Sequence, residues 1–122
     1  MNVLFGALTA CPGVIVWGID LKRGMELLPW ASCPDRVATT PQEAEALLAD
    51  AVVILDGRAD HLAQQGERVW EPSLASPALI ILVDEYAELV DDAPAAVRHA
   101  DSIVRRGRAV AVRLVAATQR PS

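Results

Sequence analysis

Two adjacent acidic residues, Asp84 and Glu85, directly follow an apolar run at 79–83 and are candidates for chemistry. In a nucleotide hydrolase, an aspartate at the end of a buried strand can hold the water shell of Mg²⁺, and the glutamate after it can polarise the attacking water. Strands also end in acids simply because they emerge into water. The pair therefore indicates a hydrolytic site only if other residues support it.

Polar residues follow two further apolar runs in the same way. Asp20 and Lys22 come after a run at 14–19, and Gln119 and Arg120 come after the last run of the chain. Because chemistry in parallel sheets collects at the carboxyl ends of the strands, we expect these residues to lie near the acidic pair. A glutamine there could sense a terminal phosphate, and an arginine could complement phosphate charge.

Strands and helices alternate in the elements that must position these residues. Continuously apolar runs rich in β-branched residues predict buried strands at 14–19, 79–83 and 110–116. Between the first two, the segment 40–43 (Thr-Pro-Gln-Glu) has the form of a capping box, and the long helix that it begins is predicted to stop at Gly66. Apolar residues recur in that helix at three- and four-residue steps: Ala44, Leu47, Leu48, Ala51, Val52, Leu55, Ala59 and Leu62.

A second helix is predicted after an acidic turn that contains Asp91, Asp92 and Pro94, and it should run to Arg106 and stop at Gly107. The residues that it is predicted to bury are Val97, Ala100, Ile103 and Val104. The stretch before the first helix is interpreted as irregular, and the stretch after it as a loop. The resulting order, β-α-β-α-β, favours an α/β fold with a mainly parallel sheet and helices on its faces.

Composition limits the class of protein. A chain of 122 residues fits a single domain, 1–122, and 52% hydrophobic residues exclude a disordered class. The net charge of −5 argues against a small basic module that grips nucleic acid by bulk electrostatics. Cys11 and Cys33 lie outside any zinc-like spacing and are interpreted as free thiols, which favours a cytoplasmic location.

Two motifs resemble those of the FtsK/SpoIIIE family of DNA translocases. The segment 79–89 resembles the Walker B block of that family, and 117–122 (Ala-Thr-Gln-Arg-Pro-Ser) resembles its most recognisable motif. The segment 17–22 is similar to another of its strands, and the spacing agrees over practically the whole chain. Residues 17–30, together with the many alanines and arginines, suggest the actinobacterial branch involved in plasmid transfer. The fold implied by the resemblance is a partial P-loop NTPase (RecA-like) three-layer fold.

The resemblance implies roles for individual residues. Asp84 would support Mg²⁺ through water, Glu85 would be the catalytic base, and Gln119 would sense the γ-phosphate. The residues that would line the nucleotide pocket or contact phosphate are Asp20, Lys22 and Arg120. The cofactors implied are ATP and Mg²⁺, with no other small-molecule substrate. The partners implied are double-stranded DNA and further copies in a ring, and the complete protein could carry a membrane anchor.

One departure from the family concerns its phosphate-binding loop. No GxxxxGK[ST] string occurs, and Met1 stands where that loop should end. Because the loop supplies most of the grip on phosphate and metal, we expect no appreciable ATPase activity from this chain alone. In the family fold the missing first strand lies beside the strand at 110–116, which would leave that strand with an open edge.

Alternatives remain open at this stage. The chain could be part of a working motor, or a non-catalytic truncated remnant or interaction module without ATPase activity. An unrelated α/β enzyme would leave 117–122 unexplained. Arg105, Arg106 and Arg108 could satisfy a helix end, contact a DNA backbone or join subunits. The tryptophans are predicted to pack against the core or its edge: Trp17, Trp30 and Trp70.

Overall fold

A computed structural model describes residues 14–21, 35–73 and 75–117 of the chain. The elements are β1 (Val14–Asp20), β2 (Arg36–Ala38), α1 (Pro41–Gln65), β3 (Ala78–Asp84), α2 (Tyr86–Asp92), α3 (Pro94–Arg106), a 3₁₀ turn (Arg108–Val110) and β4 (Val112–Ala117). Three of the strands and both long helices occupy segments in which the sequence predicts them.

The strands form one parallel sheet in the order β2-β1-β3-β4. The predicted α/β class with a parallel sheet is therefore confirmed. Strand β2 was not predicted, because its three residues are too few to show a periodicity, and it pairs with β1 at one edge of the sheet. Strand β4 forms the other edge and pairs with β3.

Alternate residues of the central strands point to opposite faces of the sheet. On one face, Ile19 and Ile81 belong to the same buried cluster as Leu47 of α1 and Ile103 of α3. This cluster forms the main core. On the opposite face, Val16 and Leu82 form a second, smaller cluster. Burial on both faces explains why these strands are continuously apolar in sequence.

Helix α1 is capped as its sequence predicts. The Thr40 side chain accepts a hydrogen bond from the Glu43 amide at 3.1 Å, while the Glu43 carboxylate accepts from the Thr39 amide at 2.9 Å. The acceptor bonds hold the pKa of Glu43 below its ordinary value. Gly66 ends the helix in the left-handed conformation, with φ 69°. Within the described ranges, neither α1 nor any other helix has the length and apolar character needed to cross a membrane.

The predicted acidic turn is wrong, because 86–92 forms helix α2. Leu89 is fully buried and anchors this helix, while Asp91 and Asp92 lie exposed in its last turn. Acidic side chains at a helix C-terminus are unfavourable because the helix dipole is negative there. The acids at 91 and 92 are therefore more typical of a turn than of a helix end. Packing of Leu89 outweighs that preference.

One prediction for the second helix and one for the last strand need correction. Val104 was predicted to be buried but is 64% exposed, and Ala96 is buried instead. The buried face of α3 includes Ala96 in its first turn, because α3 starts at Pro94 directly after α2. Val110 was predicted to begin the last strand but lies in the 3₁₀ turn, where its side chain is buried. Gly107 ends α3 as predicted, although its φ of −76° is not left-handed.

Candidate functional site

Two buried acids lie side by side at the carboxyl ends of the central strands. Asp20 ends β1, Asp84 ends β3, and the two are direct partners in the parallel register. Paired residues on neighbouring parallel strands project from the same face, with the strands about 4.8 Å apart. Asp20 is 0% and Asp84 7% exposed. Buried acids are rare outside functional or paired settings, so this end of the sheet is the candidate site.

Glu85 continues the acidic group in an unusual backbone conformation. Its φ of 61° and ψ of 76° are left-handed, and its carbonyl accepts the Glu88 amide at 3.0 Å in the first turn of α2. For a residue other than glycine this conformation costs roughly 1–2 kcal/mol. The residue is only 3% exposed. The chain thus passes from strand to helix within one residue, and Glu85 stays buried directly beyond Asp84. Strain of this kind is concentrated at functional sites.

The third predicted polar cluster lies just beyond the described part of the chain. Strand β4 ends at Ala117, which pairs with Asp84. Lys22, Gln119 and Arg120 fall outside the described residues, so their predicted roles stay predictions. The structure therefore brings together Asp20, Asp84 and Glu85 and places the end of β4 beside them.

The donor set at this site suits a hard cation that keeps most of its water. Among the described residues, no three or more His, Cys, Asp or Glu side chains are grouped so as to hold a metal ion. Mg²⁺ is usually bound by one or two carboxylates together with waters and substrate phosphates, and not by a protein cage. Asp84 with Asp20 beside it fits a site of that type. Such a site would need phosphate oxygens to complete it.

Two cavities of the described residues lie away from the acids. One of about 300 Å³ runs beside β4 and is lined by Ile103, Val104, Arg108, Val112, Arg113 and Leu114. Another of about 170 Å³ lies next to Trp70. Neither of these two cavities is lined by the acidic group, which lies at the carboxyl ends of the central strands.

The arginines near the end of α3 are engaged by acids. Arg105 pairs with Asp101 at 3.0 Å, and Arg106 pairs with Asp56 of α1 at 2.9 Å. Both pairs are exposed and contribute about 0–1 kcal/mol each. Arg108 instead lines the 300 Å³ cavity.

Trp17 and Trp70 lie in the part of the chain that the structure describes, and both are half-buried against the main core, as predicted. Each carries an arginine over its ring, with 5.0 Å from the guanidinium carbon to the ring centre. The arginine over Trp70 is Arg58, which sequence reasoning did not single out. A signal was present, because Arg58 lies between Leu55 and Leu62 near the face of α1 that packs on the sheet.

Two curated proteins match much of the sequence. A sporulation regulatory protein of Streptomyces azureus is 39% identical over 89 residues, which are 70% of this chain and 29% of that protein. The DNA translocase FtsK of Borreliella burgdorferi is 31% identical over 107 residues, 84% of this chain and 12% of that protein. The chain thus spans less than a third of either relative. No protein-family model matches it.

Solved structures of ATPases share the fold. The conjugation coupling protein TcpA of pCW3, solved with ATPγS, matches 98% of this chain and 38% of its own, with a TM-score of 0.80 and 23% identity. The cytoplasmic domain of the type VII secretion ATPase EccC of Thermomonospora curvata matches 91% of this chain and 15% of its own, with a TM-score of 0.64 and 26% identity. The predicted P-loop ATPase fold is therefore confirmed, and the chain is homologous to part of the FtsK/SpoIIIE-type proteins, as its motifs indicate.

Proposed function

We propose that this chain supplies the Walker B and sensor side of the nucleotide site in an ATP-driven double-stranded DNA translocase. The observation that carries the proposal is the buried pairing of Asp20 with Asp84 at the carboxyl ends of β1 and β3, followed by the left-handed Glu85. Support comes from the homology to a protein named DNA translocase FtsK and from the fold shared with a conjugation coupling protein.

The proposed roles follow from the chemistry of each group. Asp84 would hold the hydrated Mg²⁺ that accompanies ATP, and this ion would neutralise developing phosphate charge. Glu85 would accept a hydrogen bond from the attacking water and polarise it. Gln119 would sense the γ-phosphate. The residues proposed to line the pocket or contact phosphate are Asp20, Lys22 and Arg120.

The acids alone do not provide groups that bind the nucleotide phosphates. Carboxylates repel phosphate, whereas a glycine-rich loop offers backbone amides, a lysine and a hydroxyl. We therefore propose that a strand bearing such a loop, from elsewhere in a longer polypeptide, pairs with the free edge of β4. That edge is accessible, because Val115 is 44% exposed. Among the described strands, β3 is the sole partner of β4, and it pairs with the opposite edge of that strand.

The whole assembly is proposed by the same reasoning. A ring of such subunits in the cytoplasm, with or without a membrane anchor, would move double-stranded DNA through sequence-independent contacts with its backbone. The biological setting proposed is chromosome segregation or plasmid transfer. ATP would be its only small-molecule substrate.

A second candidate is a non-catalytic interaction module. The observation that favours it is also the edge of β4, where Val115 is exposed. The exposed Val104 of α3 lines the 300 Å³ cavity beside the same strand. An open edge of this kind can accept a strand from another protein by adding it to the sheet. In that case the acidic group would have no part in hydrolysis.

The two candidates differ in what is encoded in frame before codon 1 and in the effect of Glu85→Gln. For the motor, an upstream Gly-Lys-Ser/Thr loop is expected, and the substitution should lower ATP turnover of the longer protein roughly 10²- to 10⁴-fold. Glu45→Gln is the matched control, because Glu45 is an exposed glutamate on α1. An upstream stop codon would favour the interaction module over the motor. Equal ATP turnover in Glu85→Gln and Glu45→Gln would likewise favour a chain whose acidic group has no part in hydrolysis.

A further inference from the structure

Arg58 lies at the amino ends of β3 and β4, the opposite end of the sheet from the acidic group. Its guanidinium donates to the carbonyl of Pro77 at 2.6 Å, to that of Val110 at 2.9 Å and to that of Ala111 at 3.3 Å. Pro77 directly precedes β3, and Ala111 directly precedes β4. One side chain of α1 therefore ties together the starting points of two strands.

The surroundings of Arg58 hold it in this position. The guanidinium stacks over Trp70, whose own amide donates to the Ala109 carbonyl at 2.7 Å. Within the described residues no carboxylate pairs with Arg58, and its burial lowers the pKa of the guanidinium. The charge is therefore compensated by main-chain carbonyls and an aromatic face.

One of these carbonyls, that of Ala111, also takes part in the start of the ladder between β3 and β4. The Ala111 carbonyl accepts the Leu79 amide at 2.8 Å in addition to Arg58. Ala111 adopts φ 58°, a left-handed conformation that sets the direction of this carbonyl. Leu79 and Val112 are the first partners of the ladder, and Asp84 and Ala117 are the last.

We infer that Arg58 is a positioning residue that fixes the register of β4 against β3. A planar guanidinium offers several donors in a rigid fork, and a slip of β4 by one residue would move the Ala111 carbonyl about 3.3 Å away from it. Such a slip would also turn every side chain of β4 to the opposite face. The register set at Pro77 and Ala111 is the one that places the end of β4 beside Asp84.

The functional consequence rests on the proposed function. If Asp84 and Glu85 hydrolyse ATP together with residues that follow Ala117, their alignment depends on this register. Arg58 would then affect turnover without touching nucleotide, because it lies at the other end of both strands.

The test compares Arg58→Met, Arg58→Lys and Arg106→Met in the full 122-residue chain by amide hydrogen exchange and nuclear Overhauser effects. Arg106 is the matched control, because its guanidinium makes one exposed ion pair. Arg58→Met should speed exchange at the Leu79 and β4 amides by on the order of tenfold more than in β1. It should also weaken the backbone contact between Asp84 and Ala117.

Arg58→Lys should lie between wild type and Arg58→Met, because an ammonium is a single charge without the fork. Arg106→Met should leave both readouts unchanged. Equal acceleration across all strands, or an unchanged contact between Asp84 and Ala117 in both Arg58 variants, would overturn the inference. Normal ATP turnover of Glu85→Gln in a longer protein would instead refute the proposed function and leave the register result standing.

Discussion

Gly107 should not tolerate a side chain. It lies between α3 and the 3₁₀ turn, and a β-carbon built there would be 2.6 Å from the Ile103 carbonyl oxygen and closer still to that of Val112. Both obstacles are backbone atoms and cannot rotate away. Gly107→Ala must therefore displace either the end of α3 or the start of β4.

The expected cost follows from the contacts that would be disturbed. The Gly107 amide donates to Ile103 at 2.8 Å, and its carbonyl accepts from Val110 at 3.1 Å and from Val112 at 3.0 Å. Losing one or two of these bonds at about 1 kcal/mol each, with about 1–3 kcal/mol of overpacking strain, gives a destabilisation of roughly 2–5 kcal/mol. That is a large part of the 5–15 kcal/mol by which domains are typically stable.

Urea denaturation followed by far-ultraviolet circular dichroism would measure the free energy of unfolding. The control is Gly57→Ala in the middle of α1, because a β-carbon there would have no atom within 4 Å apart from its chain neighbours and the adjacent backbone of the same helix. That substitution should stabilise the protein by about 0.5–1 kcal/mol. The close approach of the two backbone segments would be refuted if the free energy of unfolding of Gly107→Ala lay within about 1 kcal/mol of the wild-type value. It would also be refuted if Gly107→Ala and Gly57→Ala changed that free energy equally.

Three further predictions concern local conformation and capping. Ala111→Gly should raise the free energy of unfolding by roughly 0.5 kcal/mol, because the left-handed φ of Ala111 suits glycine; a loss in urea titration would contradict this. Thr40→Ala should lower it by about 1 kcal/mol through loss of the N-cap, and an unchanged urea midpoint would argue against that cap. The lowered pKa of Glu43 should stabilise the fold above its unfolded pKa of about 4.3, and this contribution should vanish as the pH falls through the folded value. Unfolding curves of wild type and Glu43→Gln should therefore differ at pH 7 and converge in acid; a constant difference would speak against the Thr39 bonds.

Much of the fold could be predicted because local and tertiary preferences agree. Helix α1 has a capping box, an apolar stripe and a glycine stop, and all three act as expected. The central strands are buried on both faces and are continuously apolar, which sets their type and their ends. The sequence could therefore predict that Asp20 and Asp84, at the ends of two of these strands, lie close together.

Other features depend on contacts that a single sequence does not reveal. Helix α2 forms because Leu89 packs in the core, although its acidic end argues for a turn. Gly107 stops α3 for reasons of space and not of backbone handedness. Arg58 belongs to a core-facing stretch of α1, but its carbonyl partners are 19 to 53 residues away in sequence. Long-range partners of this kind have no local signature.

The central proposal is that Glu85 serves nucleotide hydrolysis, and a measurement of ATP turnover tests it most directly. The measurement uses the longest in-frame polypeptide that contains this chain, with and without double-stranded DNA, for wild type, Glu85→Gln and Glu45→Gln. The proposal predicts DNA-stimulated turnover that is lost in Glu85→Gln and kept in Glu45→Gln. Turnover that survives Glu85→Gln, or no nucleotide binding by a polypeptide that does contain a phosphate-binding loop, would contradict it.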